Sequence, residues 1–453
     1  MYGAFIEYGA TPWQIFQQTD GHAEITVGGR CICNPDLPDH AQGGRVACCV
    51  REEDTNAAVV DWVWAELADG QWRCTLRIPA GGLYRIESVL MHPCGNFNYP
   101  TRGDSVKHVG VGDVFVIAGQ SNAVGKALDA ALDPPALGVH LLGLSGRWDL
   151  AAHPLHDSTD SLYPALLSAR PGISPYLAFA KLLRRRLGYP IGLIQTARGS
   201  SDLSYWDRET GPVYRVMREQ IARSNGIRAV LWYQGCNDAD DPDRAARYGE
   251  RFARLAADLR ADLALPGLPF LTVQLNQYLE TNAEASFSQV REAQRQAARL
   301  DPRVFIVPSH DLRVLDNVHN SAMSCLAIGE RLARCALDRL YGLGTYRAGD
   351  LREAVLTGPR TVALRFDNIL DQVQTAITDP ALSPFAVEDE RGFLPLTGYA
   401  ERGDTVILTL GRDPAGALRA HNCYGSRPYP AIAKDAANGL PVLAFSDVPV
   451  RRN

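Results

Sequence analysis

The feature that most constrains this chain is a change in hydrophobic period near residue 111. From residue 111 to residue 345, apolar runs of strand length alternate with amphipathic segments of helical period. This alternation predicts a parallel sheet with helices on both faces, because parallel strands need long crossover connections and are buried on each side. The predicted strands cover residues 114–118, 191–197, 229–235, 269–277 and 304–311, and the predicted helices cover 175–187, 212–223, 243–263, 285–300 and 322–340.

Strand patterns flank this α/β region on both sides. Short alternating runs such as 22–27 and 72–78 lie between clusters of Gly, Pro, Asn and Asp, which predicts a small sandwich in the first part of the chain. The strand pattern returns after Gly342, most clearly at 361–366 and 405–410. The two β regions form separate domains or combine in one sandwich, and the sequence leaves both arrangements open.

A chain of 453 residues has room for two to four domains of about 100 to 200 residues each. We expect three of them: an N-terminal β domain (1–110), a central α/β domain (111–345) and a C-terminal β domain (346–453). Within the central domain, residues 138–174 form a connection rich in Pro and Ser that is too long for a tight turn. Such a connection either shapes a ligand pocket or is a plain surface excursion.

Charge and hydropathy exclude several classes of protein. The 46 Lys and Arg residues are spread along a chain of net charge −5, and their densest run, residues 184–186, fits a solvated helix face. We therefore expect no nucleic-acid partner. No run of about 18 apolar residues suggests a membrane helix, and the first residues lack the pattern of a signal peptide. The expected location is cytoplasmic, or secreted or periplasmic if a signal segment has been trimmed.

Ten cysteines raise the question of a metal site. Cys31-x-Cys33 and the pair Cys48-Cys49 lack the spacing of a zinc knuckle, and no pair of histidines follows at the right distance. We expect reduced thiols that pack as small hydrophobic side chains, and no metal.

The residues after each predicted strand are the candidates for chemistry, because open parallel sheets bind ligands beyond the carboxyl ends of their strands. Gly119-Gln120-Ser121-Asn122 follows the first strand. The glycine allows a tight turn, and segment 123–132 can start a helix whose N–H groups stabilise negative charge near the Ser121 hydroxyl. Taken alone, the stretch is more typical of an ordinary helix N-cap serine.

The other strand ends add groups that suit a serine hydrolase. Gly199 follows the second strand and Asn237 the third, and a glycine N–H or an asparagine amide stabilises developing negative charge. Asp316 and His319 follow the last strand at i, i+3 spacing, so the carboxylate can accept from one imidazole nitrogen while the other faces Ser121. Each residue singly is typical of a turn or a cap; their joint order indicates an active site.

In that order the four segments resemble the blocks of the SGNH hydrolase superfamily. Within it they are most similar to the sialate O-acetylesterase-like group of carbohydrate esterases, whose first block reads GQSN, as residues 119–122 do. Residues 192–195, 232–235 and 439–445 also look like that group. The resemblance spans nearly the whole chain. It departs from the usual pattern at Ala123 (usually Met), at residues 199–201 (Gly-Ser-Ser for Gly-Gly-Thr) and at Asn320 (usually Pro).

This resemblance implies a three-layer α/β/α core of the SGNH type and a serine esterase that removes O-acetyl groups from sugars without a metal or organic cofactor. Ser121 would be the nucleophile, His319 the general base and Asp316 the residue that orients the imidazole. The N–H groups of Ser121 and Gly199 and the Asn237 amide would form the oxyanion hole.

The most specific expectation is a sialate O-acetylesterase that removes 9-O-acetyl groups. The alternatives are an esterase for acetylated xylan or mannan oligosaccharides, and a non-catalytic sugar-binding protein of the same fold. The candidates for lining the sugar pocket are Gln120, Gln234 and Trp206, because amides form hydrogen bonds with hydroxyl groups and an indole can stack on a pyranose. A purely structural role is equally compatible with each residue. The expected partner is a small acetylated sugar or oligosaccharide, and the oligomeric state stays open.

Overall fold

The computed structural model describes residues 2–34, 36, 44–94, 97–279, 283–427, 429 and 431–452. Two sheets in its N-terminal part, with the orders β1-β3-β7-β6 and β5-β4-β8-β9, share a core that includes Val27, Val50, Trp72 and Ile86. The strands of this part are β1 (Gly3–Ala4), β2 (Ile15–Gln17), β3 (His22–Ile32), β4 (Arg45–Glu52), β5 (Ala58–Trp64), β6 (Glu66–Ala68), β7 (Gln71–Pro79), β8 (Gly81–Cys94) and β9 (Phe97–Gly119).

The central sheet is parallel and has the order β11-β10-β12-β9-β13-β14-β15, in which only the edge strand β11 runs antiparallel to its neighbour among the described strands. Strand β9 belongs both to this sheet and to the N-terminal part, where it pairs with β8. The further strands are β10 (Val139–Leu142), β11 (Trp148–Leu150), β12 (Ile191–Gln195), β13 (Ala229–Tyr233), β14 (Phe270–Val273) and β15 (Val304–Val307).

Helices flank the sheet, with α2 packed on α8 and α6 on α7. The prediction of a parallel sheet flanked by helices, with further β regions on either side in sequence, is confirmed. The helices are α1 (Ser121–Val124), α2 (Tyr176–Leu187), α3 (Pro212–Ala222), α4 (Cys236–Ala239), α5 (Pro242–Ala246), α6 (Tyr248–Asp262), α7 (Glu284–Leu300) and α8 (Ala322–Tyr341).

Helix α2 shows why the periodic segments form helices. Tyr176, Phe179, Ala180 and Leu183 are buried and recur at i, i+3, i+4 and i+7, so they make one apolar stripe on the helix. Residues 184–186 are exposed, as expected of a solvated face. Gly188 then ends the helix in the left-handed conformation, which costs glycine little.

One local prediction needs correction. Segment 123–132 does not continue as a helix, because α1 is a single turn that ends at Gly125 with φ 91°. The connection 138–174 contributes two short strands, β10 and β11, and a 3₁₀ turn at Pro164–Leu166. The apolar run of β10 has four residues, which is too short to stand out from a loop by its period.

The C-terminal part is a mostly antiparallel sheet of order β20-β19-β23-β25-β16-β17-β22-β21. Its core includes Phe366, Phe385, Val406, Leu408 and Phe445. The strands are β16 (Asp350–Gly358), β17 (Thr361–Asp367), β18 (Val373–Gln374), β19 (Phe385–Asp389), β20 (Gly392–Phe393), β21 (Leu396–Arg402), β22 (Thr405–Leu410), β23 (Arg419–Asn422), β24 (Lys434–Asp435) and β25 (Phe445–Arg452).

Arg291 of α7 anchors the C-terminal part to the central sheet. Its buried guanidinium donates to the main-chain oxygens of Leu275 and Asn276, which follow β14, at 2.9 and 2.5 Å. It also donates to the main-chain oxygens of Cys423 and Gly425, which follow β23, at 3.2 and 2.6 Å. One side chain therefore connects two sheets through four main-chain carbonyls.

Hydrophobic residues form separate clusters in the N-terminal, central and C-terminal parts. The domain boundaries at residues 110 and 345 stay predictions. Across the described residues, the cysteines form no disulfide, and Cys48 and Cys49 are buried. No helix in the described part of the chain has the length and apolar character needed to cross a membrane.

Candidate active site

Strand β9 ends where the neighbouring strand β13 leaves no room for a side chain. Gly119 adopts φ 131°, and a Cβ atom at this position would lie 2.2 Å from the main-chain oxygen of Tyr233. The Gln120 N–H donates to that same oxygen at 2.9 Å. The close approach requires glycine and turns the chain out of the sheet, so Ser121 lies at the start of α1 with 8% of its surface exposed.

Gln120 holds the side chain of Asn237. Its Nε2 donates to Asn237 Oδ1 at 2.8 Å, and its Oε1 accepts from the N–H groups of Gly235 and Asn237 at 2.9 and 3.3 Å. Because Oδ1 is occupied as an acceptor, the Asn237 Nδ2 group is left to donate on the other side of the amide. Gln120 is 3% exposed and positions Asn237; that it also lines a sugar pocket stays a prediction.

Gly199 is fixed beside the same strand end by its neighbours. Arg198 N–H donates to Gly119 O at 2.9 Å, and the Ser201 hydroxyl donates to Arg198 O at 2.8 Å. That carbonyl belongs to the peptide group whose N–H is that of Gly199, so the hydroxyl fixes the plane of the group and polarises its N–H. Ser200 has φ 53°, a conformation that is strained for serine and that recurs at functional sites.

Trp206 and Gln234 lie behind this loop. Trp206 is 1% exposed, its Nε1 donates to Ser201 Oγ at 3.4 Å, and its ring packs edge-on against Trp232. Gln234 has no exposed surface and donates to Ser201 O at 3.1 Å and to the Asp238 carboxylate. Neither side chain offers more than 1% of its surface to solvent in this structure, and that either residue lines a sugar pocket stays a prediction. Both residues support the loop of Gly199.

Asp238 ties that loop to the segment of Asn237. Its carboxylate is fully buried, accepts from Leu203 N–H at 3.1 Å and from the Gln234 amide, and lies 3.8 Å from the Arg251 guanidinium. Burial raises the pKa of Asp238 to about 6, because the hydrogen bonds to its charged form offset only part of the lost hydration.

Asp316 and His319 form a hydrogen-bonded pair after β15. His319 Nδ1 lies 2.7 Å from Asp316 Oδ2, and Asp316 Oδ1 accepts from the N–H groups of Val318 and His319 at 2.9 and 2.7 Å. Partial burial raises the pKa of Asp316, but these hydrogen bonds and the imidazole outweigh it and hold the pKa below its usual value. The ionised carboxylate keeps a proton on Nδ1 and leaves Nε2 able to accept one.

Asn122, the residue after Ser121, holds both neighbours of His319. Its Nδ2 donates to Val318 O at 3.1 Å, and its Oδ1 accepts from the main-chain and side-chain N–H groups of Asn320 at 3.0 and 3.1 Å. Both asparagines are buried. These bonds hold the backbone of His319 against that of Ser121. Asn320 stands where related sequences usually have proline, which has no N–H to donate.

The positions of Ser121, Gly199, Asn237, Asp316 and His319 follow from the sheet, since each comes after a strand that ends at the same edge. Sequence reasoning missed the positioning residues Asn122, Ser201 and Asp238. The only signal for Asn122 was its place in the GQSN block. Polar residues in turns look alike whether they cap a helix or hold a site.

Residues with metal-ligating side chains approach one another in the C-terminal part. Within the described ranges, suitable atoms of Glu388, His421 and Asp447 lie within 4.8 Å of one another. The Asp447 N–H donates to His421 Nδ1 at 3.3 Å, and burial lowers the pKa of His421 to about 4, so the imidazole is neutral. Nε2 lies 3.6 Å from Glu388 Oε2, beyond hydrogen-bond distance, and has no hydrogen-bond partner among the described residues.

This chain is similar in sequence to known carbohydrate esterases and similar in fold to a carbohydrate acetylesterase. Residues 111–338 match the family described as carbohydrate esterase, sialic acid-specific acetylesterase. The probable carbohydrate esterase At4g34215 of Arabidopsis thaliana is 30% identical over 249 residues, which cover 49% of this chain and 90% of that protein. The crystal structure of XAC1771, a carbohydrate acetylesterase from Xanthomonas citri, covers 96% of this chain and 97% of its own with a TM-score of 0.66 at 23% identity, a likeness of fold.

The matched family and the fold define a carbohydrate esterase, an enzyme that hydrolyses esters of sugars. The chain belongs to the sialic acid-specific acetylesterase family, and its family segment includes every strand end described above.

Proposed function

We propose that this carbohydrate esterase is a serine O-acetylesterase with the triad Ser121, His319 and Asp316, acting on 9-O-acetylated sialic acids. The observation that carries the triad is the set of bonds from Asn122, which join the residue after Ser121 to both neighbours of an imidazole paired with Asp316. The description of the family as sialic acid-specific supports the substrate.

In the acylation step, Ser121 Oγ attacks the acetyl carbonyl carbon while His319 Nε2 takes the hydroxyl proton. Asp316 stabilises the resulting imidazolium through Nδ1. The carbonyl electron pair moves to oxygen and forms a tetrahedral oxyanion. When that intermediate collapses, the bond to the sugar oxygen breaks, and this oxygen takes the proton from His319.

The oxyanion is stabilised by the N–H groups of Ser121 and Gly199 and by Asn237 Nδ2. Gln120 leaves the Asn237 amide with a free donor, and Ser201 polarises the peptide of Gly199. Removal of one such donor costs roughly 3 kcal/mol of barrier in measured cases. These neutral donors are positioned before the reaction, so the site does not reorganise as charge develops.

In the deacylation step, His319 takes a proton from water, and the resulting hydroxide attacks the acetyl group on Ser121. Collapse of the second tetrahedral intermediate breaks the bond to Oγ, returns the proton to it and releases acetate. Every atom and proton in this cycle is supplied by substrate, water and the triad.

Acetate release tests the proposal. Wild-type protein, Ser121→Ala and the exposed-serine control Ser204→Ala are incubated with 9-O-acetylated sialic acid, acetylated xylo-oligosaccharides and acetylated manno-oligosaccharides. We expect release from the sialic acid by wild type and control and none by Ser121→Ala. Release from the neutral oligosaccharides instead would identify the alternative substrates. Binding without release by any form would identify the non-catalytic alternative.

A further inference from the structure

Lys126 is a cation without a counter-ion beside the candidate active site. It follows Gly125, where the chain turns after α1, and its Nζ donates to Ser168 Oγ at 2.9 Å and to Ala169 O. Among the residues that the structure describes, no carboxylate forms an ion pair with Lys126, and burial lowers its pKa. An ammonium has three N–H donors, so these contacts leave one for a ligand.

The ammonium lies on the Gly199 side of the site. Ser168 Oγ, which accepts from Lys126, is only 3.0 Å from the position that a Cβ atom on Gly199 would take. The segment with Ser168 and Ala169 therefore runs directly beside the glycine of the oxyanion hole. A substrate acyl group bound at Gly199 would bring the rest of the sugar into this neighbourhood.

Arg198 adds a second positive charge beside Gly199. Its Nε donates to Ala165 O at 2.9 Å, its Nη1 donates to Gly199 O at 2.8 Å, and its guanidinium lies over the Tyr205 ring at 4.2 Å. These partners are carbonyl groups and an aromatic ring, and within the described ranges no carboxylate pairs with Arg198. Two neighbouring cations without counter-ions make the local potential positive.

We propose that Lys126, supported by Arg198, forms a subsite for the carboxylate of an acidic sugar, so that the enzyme selects O-acetylated sugar acids over neutral acetylated sugars. This inference rests on the proposed function, because it takes Ser121 and Gly199 as the reacting centre. A half-buried cation without a counter-ion is costly, and a carboxylate that reaches it gains a charge-assisted hydrogen bond.

A pair of substrates that differ only in charge tests the inference: 9-O-acetyl-N-acetylneuraminic acid and its carboxyl methyl ester. A charge-assisted hydrogen bond corresponds to a preference of about tenfold to a hundredfold in kcat/KM for the free acid. We expect Lys126→Gln, which keeps a donor for Ser168, to lose most of this preference for the free acid over the methyl ester. Lys126→Arg should retain the preference.

Lys107→Met is the matched control, because it removes an exposed lysine of β9. It should change kcat/KM for neither substrate.

Equal kcat/KM of the wild-type protein for acid and ester, or an equal loss on both substrates in Lys126→Gln, would overturn the inference. If Lys126→Gln fails to fold, the wild-type preference and its retention in Lys126→Arg still decide. Hydrolysis of an aryl acetate but of neither sialic acid substrate would also overturn it while leaving the serine mechanism intact. Unchanged hydrolysis by Ser121→Ala would instead contradict the proposed function.

Discussion

The side-chain amide of Gln120 donates to Oδ1 of Asn237 across 2.8 Å. Without that bond the Asn237 amide is free to rotate and loses its fixed donor direction. We expect Gln120→Ala to lower kcat about tenfold to a hundredfold with little change in KM for an aryl acetate, less than the full loss of a donor. Because both residues act through one donor, Gln120→Ala/Asn237→Ala should be no slower than Asn237→Ala. Additive losses in this cycle would show that Gln120 acts independently.

A second prediction concerns Asn122, whose side chain holds Val318 and Asn320 on either side of His319. Asn122→Ala removes the partner of the Val318 carbonyl and of the Asn320 main-chain N–H, so we expect the free energy of unfolding to fall by about 2 kcal/mol. We also expect kcat to fall at least about tenfold, since His319 is no longer held against Ser121. Denaturant unfolding and steady-state kinetics measure the two effects, and an unchanged kcat would rule out a positioning role.

The pH dependence of kcat/KM follows from Asp316. Its pKa lies below the usual value, so the carboxylate stays ionised while the imidazole takes up its proton on the acid side. We expect a single acid limb along which log kcat/KM falls by about one per pH unit. In Asp316→Asn the imidazolium loses its stabilising charge, so the limb should move to lower pH, and the plateau should drop roughly 10³- to 10⁴-fold. A limb that stays in place would show that Asp316 does not act on His319.

Asp238 makes stability depend on pH. Its pKa of about 6 in the folded protein exceeds the usual 3.8, so the folded state binds the proton more tightly. The resulting stabilisation is complete below about pH 4 and disappears as pH rises through 6, and a shift of about two units corresponds to about 3 kcal/mol. Between pH 4 and pH 7, wild type should lose up to that much free energy of unfolding relative to Asp238→Asn. A difference that is constant with pH would contradict the shift.

The strands and helices that could be predicted from the sequence are those whose buried residues follow a regular pattern. Residues 114–118 of β9 have no exposed surface and form a continuous apolar run, and the buried residues of α2 recur at helical spacing. Both patterns are recognisable in the sequence. Helix α1 stops at Gly125 for a tertiary reason: a Cβ there would lie 2.6 Å from Ser174, in another segment. Such a contact is invisible in the local sequence, which is why segment 123–132 could not be predicted correctly.

Only the part of the candidate site formed by reactive side chains that directly follow strands could be predicted from the sequence. Asp316 and His319 have the spacing that lets them pair, and the structure pairs them. The burial of Gln234 and Trp206 could not be predicted, because an amide or an indole gives no sign in the sequence of whether it faces solvent or the protein interior. Their partners, Asp238 and Ser201, lie close only once β12 and β13 are placed beside β9.

The most direct test of the account is covalent labelling of Ser121, the proposed nucleophile activated by His319. Wild type, Ser121→Ala and His319→Gln are treated with a fluorophosphonate probe, and the adduct is located by peptide mass spectrometry. We expect one adduct in wild type, on Ser121, none in Ser121→Ala, and labelling at least about 10³-fold slower in His319→Gln. An adduct on another residue, together with wild-type acetate release by Ser121→Ala, would contradict the account.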